Sequence, residues 1–73
     1  MNELSTRIRQ LRQQSNMTQR ELAEAINVAH NTISQYEHGL NFPSLEVVLK
    51  LARLFDVSTD YLLGNDEWAK VVG

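Results

Sequence analysis

Apolar residues recur at helical spacing along the whole chain, and nowhere do they alternate as a strand would require. Leu4, Ile8 and Leu11 fall at i, i+4 and i+7, which predicts a first helix over residues 2–14. Arg7, Arg9 and Arg12 lie off that stripe, and Ser15-Asn16 breaks it. Thr18 followed by Glu21 is a capping box, so a second helix opens there, with Leu22, Ala23 and Ile26 on its inner face. Asn27 ends it, because asparagine tolerates a left-handed cap. A third helix starts near Ala29 or His30 and stops before Gly39. Ser44 caps a fourth that runs to about Phe55. Its inner stripe is predicted as Leu45, Val48, Leu49 and Ala52, closed by Phe55, with Leu51 and Leu54 widening it toward a partner. Ser58 caps a short fifth helix carrying Tyr61, Leu62 and Leu63, stopped by Gly64. The pattern is all-α.

Seventy-three residues make one small domain with a modest core. Residues 1–64 hold the helices, and residues 65–73 form a tail. In that tail Trp68, Val71 and Val72 recur at i, i+3 and i+4, as the start of a dimerisation helix or a linker would. Leu51, Leu54 and Tyr61 would flank a dimer contact there, and a longer natural chain is compatible with the missing stop signal.

There is no cysteine, hence no disulfide and no thiolate zinc site. No signal peptide and no apolar run of membrane-spanning length is visible, so the expectation is a cytoplasmic protein without membrane contact. The net charge is −2. Its distribution is uneven. Residues 1–20 carry four arginines (Arg7, Arg9, Arg12, Arg20) against Glu3, and residues 54–73 carry four acids against Lys70. Catalysis finds no support. His30 and His38 are too far apart for a helical metal pair, no nucleophile sits beside a base, and no glycine-rich phosphate loop exists. Neither a cofactor nor a metal is expected.

On a 100° wheel, Ile33 points to one side of the third helix with Tyr36 beside it. Asn31, Ser34, Gln35 and His38 cluster opposite, with His30 and Thr32 at the margins. Ile33 is the helix's only aliphatic residue, so it must be buried and the polar set must face outward. Asn and Gln amides offer a donor and an acceptor together, the pattern that matches N6 and N7 of adenine in the major groove. Any surface helix carries such residues, so this face alone leaves DNA reading and plain solvation both open.

The flanking residues change the balance. Arg12 late in helix 1, Thr18-Gln19 opening helix 2, Leu22-Ala23, Val28 in the turn, Ile33-Ser34, Glu37-x-Gly39, Pro43 and the run VSTDYLLG over residues 57–64 stand in one order and spacing. Over residues 4–63 the sequence resembles the lambda-repressor-like, Cro/cI or XRE-type, helix-turn-helix family. The resemblance implies a compact five-helix bundle, with helices 2 and 3 forming the motif and helix 3 entering the major groove. It places His30, Asn31 and Gln35 at base-reading positions, with Thr32 and Ser34 as second-rank candidates. Gln19 matches a glutamine that touches the DNA backbone and braces helix 3. Thr18 and Gln19 open a helix whose amides favour a phosphate. Arg9, Arg20, His38 and Asn41 are further backbone candidates. Arg12 and Glu37 match positions that pair, and two parallel hydrogen bonds would lock helix 3 to helix 1. Two positions depart from the family pattern: Asn27 stands where glycine is usual, and Ala29 where a capping serine or threonine is common.

The implied function is a sequence-specific double-stranded-DNA-binding transcriptional regulator, bacterial or phage-encoded, and a repressor of phage, plasmid or mobile-element type. It would act as a homodimer on a two-fold site. The alternative is an antitoxin or protein-interaction module on the same fold, which the net charge and the acidic end favour.

Overall fold

The computed structural model describes residues 3–65, so the tail positions Trp68, Val71 and Val72 lie outside the described residues. Among these described residues five helices follow one another: α1 (Glu3–Gln14), α2 (Gln19–Ile26), α3 (His30–Glu37), α4 (Leu45–Phe55) and α5 (Thr59–Leu63). No strand occurs among the described residues.

Side-chain caps start α2, α4 and α5. Thr18 Oγ1 accepts from the Glu21 amide at 3.0 Å, and Glu21 Oε1 accepts from the Thr18 amide at 2.8 Å, closing the capping box. Ser44 accepts from the Val47 amide and Ser58 from the Tyr61 amide. Such a cap contributes about 1 kcal/mol. Ala29 opens α3 in an extended conformation with no side-chain cap.

All five helices stop by the same device. A residue with positive φ follows each one: Asn16 (57°), Asn27 (59°), Gly39 (70°), Asp56 (55°) and Gly64 (77°). The next amide then reaches back to the carbonyl five residues earlier. These bonds are Met17 to Arg12 (3.1 Å), Val28 to Ala23 (3.0 Å), Leu40 to Gln35 (2.9 Å), Val57 to Ala52 (3.0 Å) and Asn65 to Asp60 (2.8 Å). The closure satisfies carbonyls that a helix end would leave unpaired. Met17, Val28 and Val57 also turn their side chains against the core. Leu40, in the equivalent place after α3, is 79% exposed.

Each helix sends one side chain into the centre: Ile8, Leu22, Ile33, Leu51 and Leu62 are all fully buried. Around them α3 packs on α1 and α2, α5 packs on α1 and α4, and α2 touches α4. The predicted inner faces of α1, α2 and α3 turn to the core, with Leu11 of α1 only partly buried.

Helix α4 differs from the expectation. Its buried residues are Val48, Leu51 and Ala52, whereas Leu45 is 85% exposed and Leu49 is also exposed. Apolar residues occupy most of the helix circumference, so spacing alone did not fix which stripe faces inward. Leu51, at the centre of the core, is inaccessible to a dimer partner. Tyr61 is half-buried under the guanidinium of Arg7, 4.3 Å from the ring centroid. Arg7 also donates to the Tyr61 carbonyl and pairs with Glu3 at 3.2 Å, tying α1 to α5.

Two outcomes are expected in denaturant unfolding. Leu51→Ala lowers stability by about 2–5 kcal/mol, while Leu45→Ala stays within about 0.5 kcal/mol. Asn27→Gly keeps or raises stability, while Asn27→Val, forced into a left-handed conformation, loses about 1–2 kcal/mol.

Candidate nucleic-acid interface

Helix α3 is divided lengthwise. Ile33, Tyr36 and Glu37 are buried, and His30, Asn31, Gln35 and the capping residue His38 are exposed. Thr32 and Ser34 are half-buried at the margins of that exposed flank. Burial raises the Tyr36 phenol above its ordinary value, so it remains a neutral core group.

Glu37 fixes the C-terminal end of α3. It is 1% exposed. Arg12 grips its carboxylate with two bonds, Nε to Oε2 at 2.6 Å and Nη2 to Oε1 at 3.1 Å. Gln19 Nε2 donates to Oε1 at 3.2 Å. Arg9 Nε stands 3.9 Å from the same oxygen, and its Nη2 donates to the Glu37 carbonyl at 3.2 Å. Arg12 Nη1 donates in turn to the Met17 carbonyl at 2.8 Å. One carboxylate thus joins α1, the α1–α2 turn, the start of α2 and the end of α3. Two guanidiniums answer one carboxylate, which leaves the cluster a local excess of positive charge.

The start of α2 lies in this cluster through Gln19. The capping box uses the Thr18 hydroxyl and the Thr18 and Glu21 amides, which narrows the outward donors expected there. The first-turn amides of Gln19 and Arg20 have no helical carbonyl to bond, as at any helix start. Arg20 is exposed, and Arg9 keeps 38% of its side chain exposed.

Beyond α3 the loop folds back over the helix. His38 Nδ1 lies 2.7 Å from the Ser34 carbonyl. A carbonyl only accepts, so Nδ1 carries a proton and donates to it. Ser34 Oγ is 3.4 Å from the same nitrogen. Asn41 Nδ2 donates to Gln35 Oε1 at 3.3 Å.

The structure therefore gathers the predicted residues into one region built from α3, its following loop, the start of α2 and the end of α1. Sequence reasoning missed two contacts in it, Arg9 to the Glu37 carbonyl and Asn41 to Gln35, whereas the bracing of helix 3 by Gln19 was implied by the resemblance and falls on the Glu37 carboxylate. The first depends on a main-chain oxygen, which no residue pattern marks. The second depends on a turn that brings distant side chains together. Among the described residues no group of His, Cys, Asp and Glu could hold a metal ion, and no helix is long and apolar enough to cross a membrane.

Arg12→Ala should cost about 3 kcal/mol, because it strips a buried carboxylate of its main partner. Arg12→Met combined with Glu37→Leu should recover part of that loss. Chemical denaturation of the single and double variants measures both. A loss below about 1 kcal/mol for Arg12→Ala would class the pair with ordinary surface bridges.

Comparison with known proteins gives this geometry its context. The helix-turn-helix family model matches residues 8–62. The chain is 45% identical over 67 residues to the HTH-type transcriptional regulator ImmR of Bacillus subtilis (strain 168), covering 92% of this chain and 53% of ImmR. It is 40% identical over 63 residues to the cryptic phage CTXphi transcriptional repressor RstR of Vibrio cholerae, covering 86% of this chain and 57% of RstR. The chain spans about half the length of these two curated relatives. Its fold matches the crystal structure of the P22 c2 repressor protein in complex with a synthetic operator, with a TM-score of 0.80 at 32% identity. That match covers 85% of this chain and 94% of the repressor chain. The chain belongs to the helix-turn-helix family, in its lambda-repressor-like, XRE-type branch.

Proposed function

We propose that this protein is a sequence-specific double-stranded-DNA-binding transcriptional regulator, a repressor of phage or mobile-element type. The observation that carries the proposal is the lengthwise division of α3: its amide-bearing flank is exposed while Ile33 and Glu37 hold the opposite flank in the bundle. In the proposed complex α3 lies in the major groove. His30, Asn31 and Gln35 meet base edges, and Thr32 and Ser34 contribute at the margins. Arg9, Arg20, Gln19, His38, Asn41 and the capped start of α2 at Thr18 contact phosphates. These contacts set register and orientation, while the α3 side chains supply sequence preference.

Repression follows from occupancy, since a bound regulator excludes polymerase or a competing protein from the same duplex. A homodimer would place two copies of α3 about 34–36 Å apart on a two-fold site. RstR, named a transcriptional repressor, and the operator complex of the P22 c2 repressor support this reading. The acidic residues after Leu54 and the net charge of −2 favour a second reading, a protein-interaction module on the same fold.

Gel-shift titration over a salt series tests the proposal. Affinity for a selected duplex should fall with salt at a log–log slope of about −0.9 per phosphate neutralised. Arg20→Ala should weaken binding to all sequences alike and flatten that slope by about 0.9. Gln35→Ala should instead remove about 1–3 kcal/mol of discrimination at one base pair. Equal, uniform losses for both variants would contradict the assigned roles. Capture of a protein partner with no duplex recovered from a random pool would favour the interaction module.

A further inference from the structure

The apolar surface that the core leaves over is gathered in one place. Six large apolar side chains are exposed among the described residues, and four of them fall within residues 40–49: Leu40 (79% exposed), Phe42 (63%), Leu45 (85%) and Leu49 (42%). Leu45 and Leu49 are one turn apart and about 40° apart around α4. Phe42 precedes Leu45 by three residues, so the chain holds it within about 11 Å. Leu54 stands outside the group, about 140° around the helix from Leu49. Leu40 takes the place that Met17, Val28 and Val57 take after α1, α2 and α4. Those three pack against the core and Leu40 does not. Residues 39–49 carry one charge, Glu46, and no cation. Such a surface is a poor fit to a phosphate backbone, and apolar surface with a charged border marks a protein contact.

The charges on that border select the partner. Glu46 and Lys50 lie on one flank of the Leu45–Leu49 stripe, 4.0 Å apart. Both keep exposed side chains, 81% and 42%, so each has surface left for a further charge. Arg53 follows on the same flank. Along this flank the acid comes first and the bases after it. Two copies of α4 laid antiparallel about a two-fold axis therefore set acid against base. Glu46 faces Lys50 of the second copy, and Lys50 faces Glu46 of the second copy. In that register Leu45 lies beside Leu49 of the second copy, and symmetry repeats the contact. A parallel pair would set like charges together. The stripe and its flank complement themselves, as an isologous contact requires.

We propose that Leu40, Phe42, Leu45 and Leu49 form the contact between two copies of this chain, with the α4 helices antiparallel across a two-fold axis. The role of this contact on DNA rests on α3 being the base-reading helix. Leu40 follows α3 closely, so the contact turns the C-terminal end of each α3, with Gln35, toward the axis. The N-terminal ends, with His30 and Asn31, then point away from it.

Sedimentation equilibrium of the full chain without DNA tests the contact. The wild-type chain should pass from monomer to dimer over the micromolar range. Leu45 supports little of the fold of a single copy, so L45D separates association from folding. L45D should raise the dimer Kd about tenfold or more, with an unchanged circular-dichroism spectrum. F42S, in the loop, should act in the same way, and L54D should leave the Kd unchanged. E46K and K50E should each weaken association about threefold or more. An equimolar mixture of those two variants should recover it, because each supplies the charge that the other lacks. A chain that stays monomeric to about 100 μM would overturn the proposal, whatever else covers the patch. So would a dimer that L45D and F42S leave intact, one that L54D dissociates, or a mixture no tighter than its components. In duplexes selected from a random pool, the base pair relaxed by Q35A should lie nearer the centre of the two-fold site than the one relaxed by N31A. The reverse order would overturn the placement of this contact at the axis. A dimer that selects no consensus would overturn the base-reading role of α3 and leave the contact standing.

Discussion

A carboxylate without water needs donors, and the Glu37 side chain is 2% exposed. That requirement organises the surface built around it. Arg12 and Arg9 come from one helix, Gln19 from the next, and each must hold its place for the buried charge to be satisfied. Among the described residues no buried side-chain nitrogen or oxygen lacks a partner. Helix α3 is consequently attached at two points: Ile33 sinks into the core one turn before Glu37 is clamped. Rotation about the helix axis would expose the first or strip the second. The outward angle of Asn31 and Gln35 is thus fixed by groups that face the other way.

The same cluster reconciles an acidic chain with the anionic partner proposed for it. The four arginines near the N-terminus do different work. Arg7 lies on Tyr61 and bonds its carbonyl, fastening the last helix to the first. Arg12 is committed to Glu37, with 14% of its side chain exposed. Arg9 shares that carboxylate yet keeps more of its surface, and Arg20 stands exposed at the start of α2. Net charge describes the field at a distance, whereas a phosphate in contact responds to its nearest groups, since exposed charges are screened beyond about 10 Å in ordinary salt.

Much of this was legible in the residues, for a physical reason. Helix starts at Thr18, Ser44 and Ser58, and ends at Asn27 and Gly64, are decided within a few positions, so local sequence carries them. Ser15-Asn16 reads as the break after α1, whereas Asp56 ends α4 by the same left-handed turn with nothing to mark it apart from an ordinary polar residue. The outward face of α3 was legible because Ile33 left one choice. The phase of α4 was not, because Leu45, Val47, Leu49, Leu51 and Leu54 offer several stripes, and only packing against α2 and α5 selects Val48, Leu51 and Ala52. The Arg12–Glu37 pair bridges 25 positions and entered through family resemblance. The bond between Asn41 and Gln35 exists only once Gly39 has turned the chain.

The repeated helix ending has a consequence for how the chain assembles. Where each turn is specified by its own neighbours, the place where a helix ends is set locally, while helices of 5 to 12 residues depend on packing to persist. Searching then goes chiefly into packing short helices whose ends are already specified, and chains dominated by near-neighbour contacts are the ones that fold in about microseconds to milliseconds. Helices α2 and α3 meet across a three-residue connection. Helix α5 is different, because Arg7 and Tyr61 are 54 positions apart. Loop-closure entropy therefore falls chiefly on bringing the two ends of the domain together.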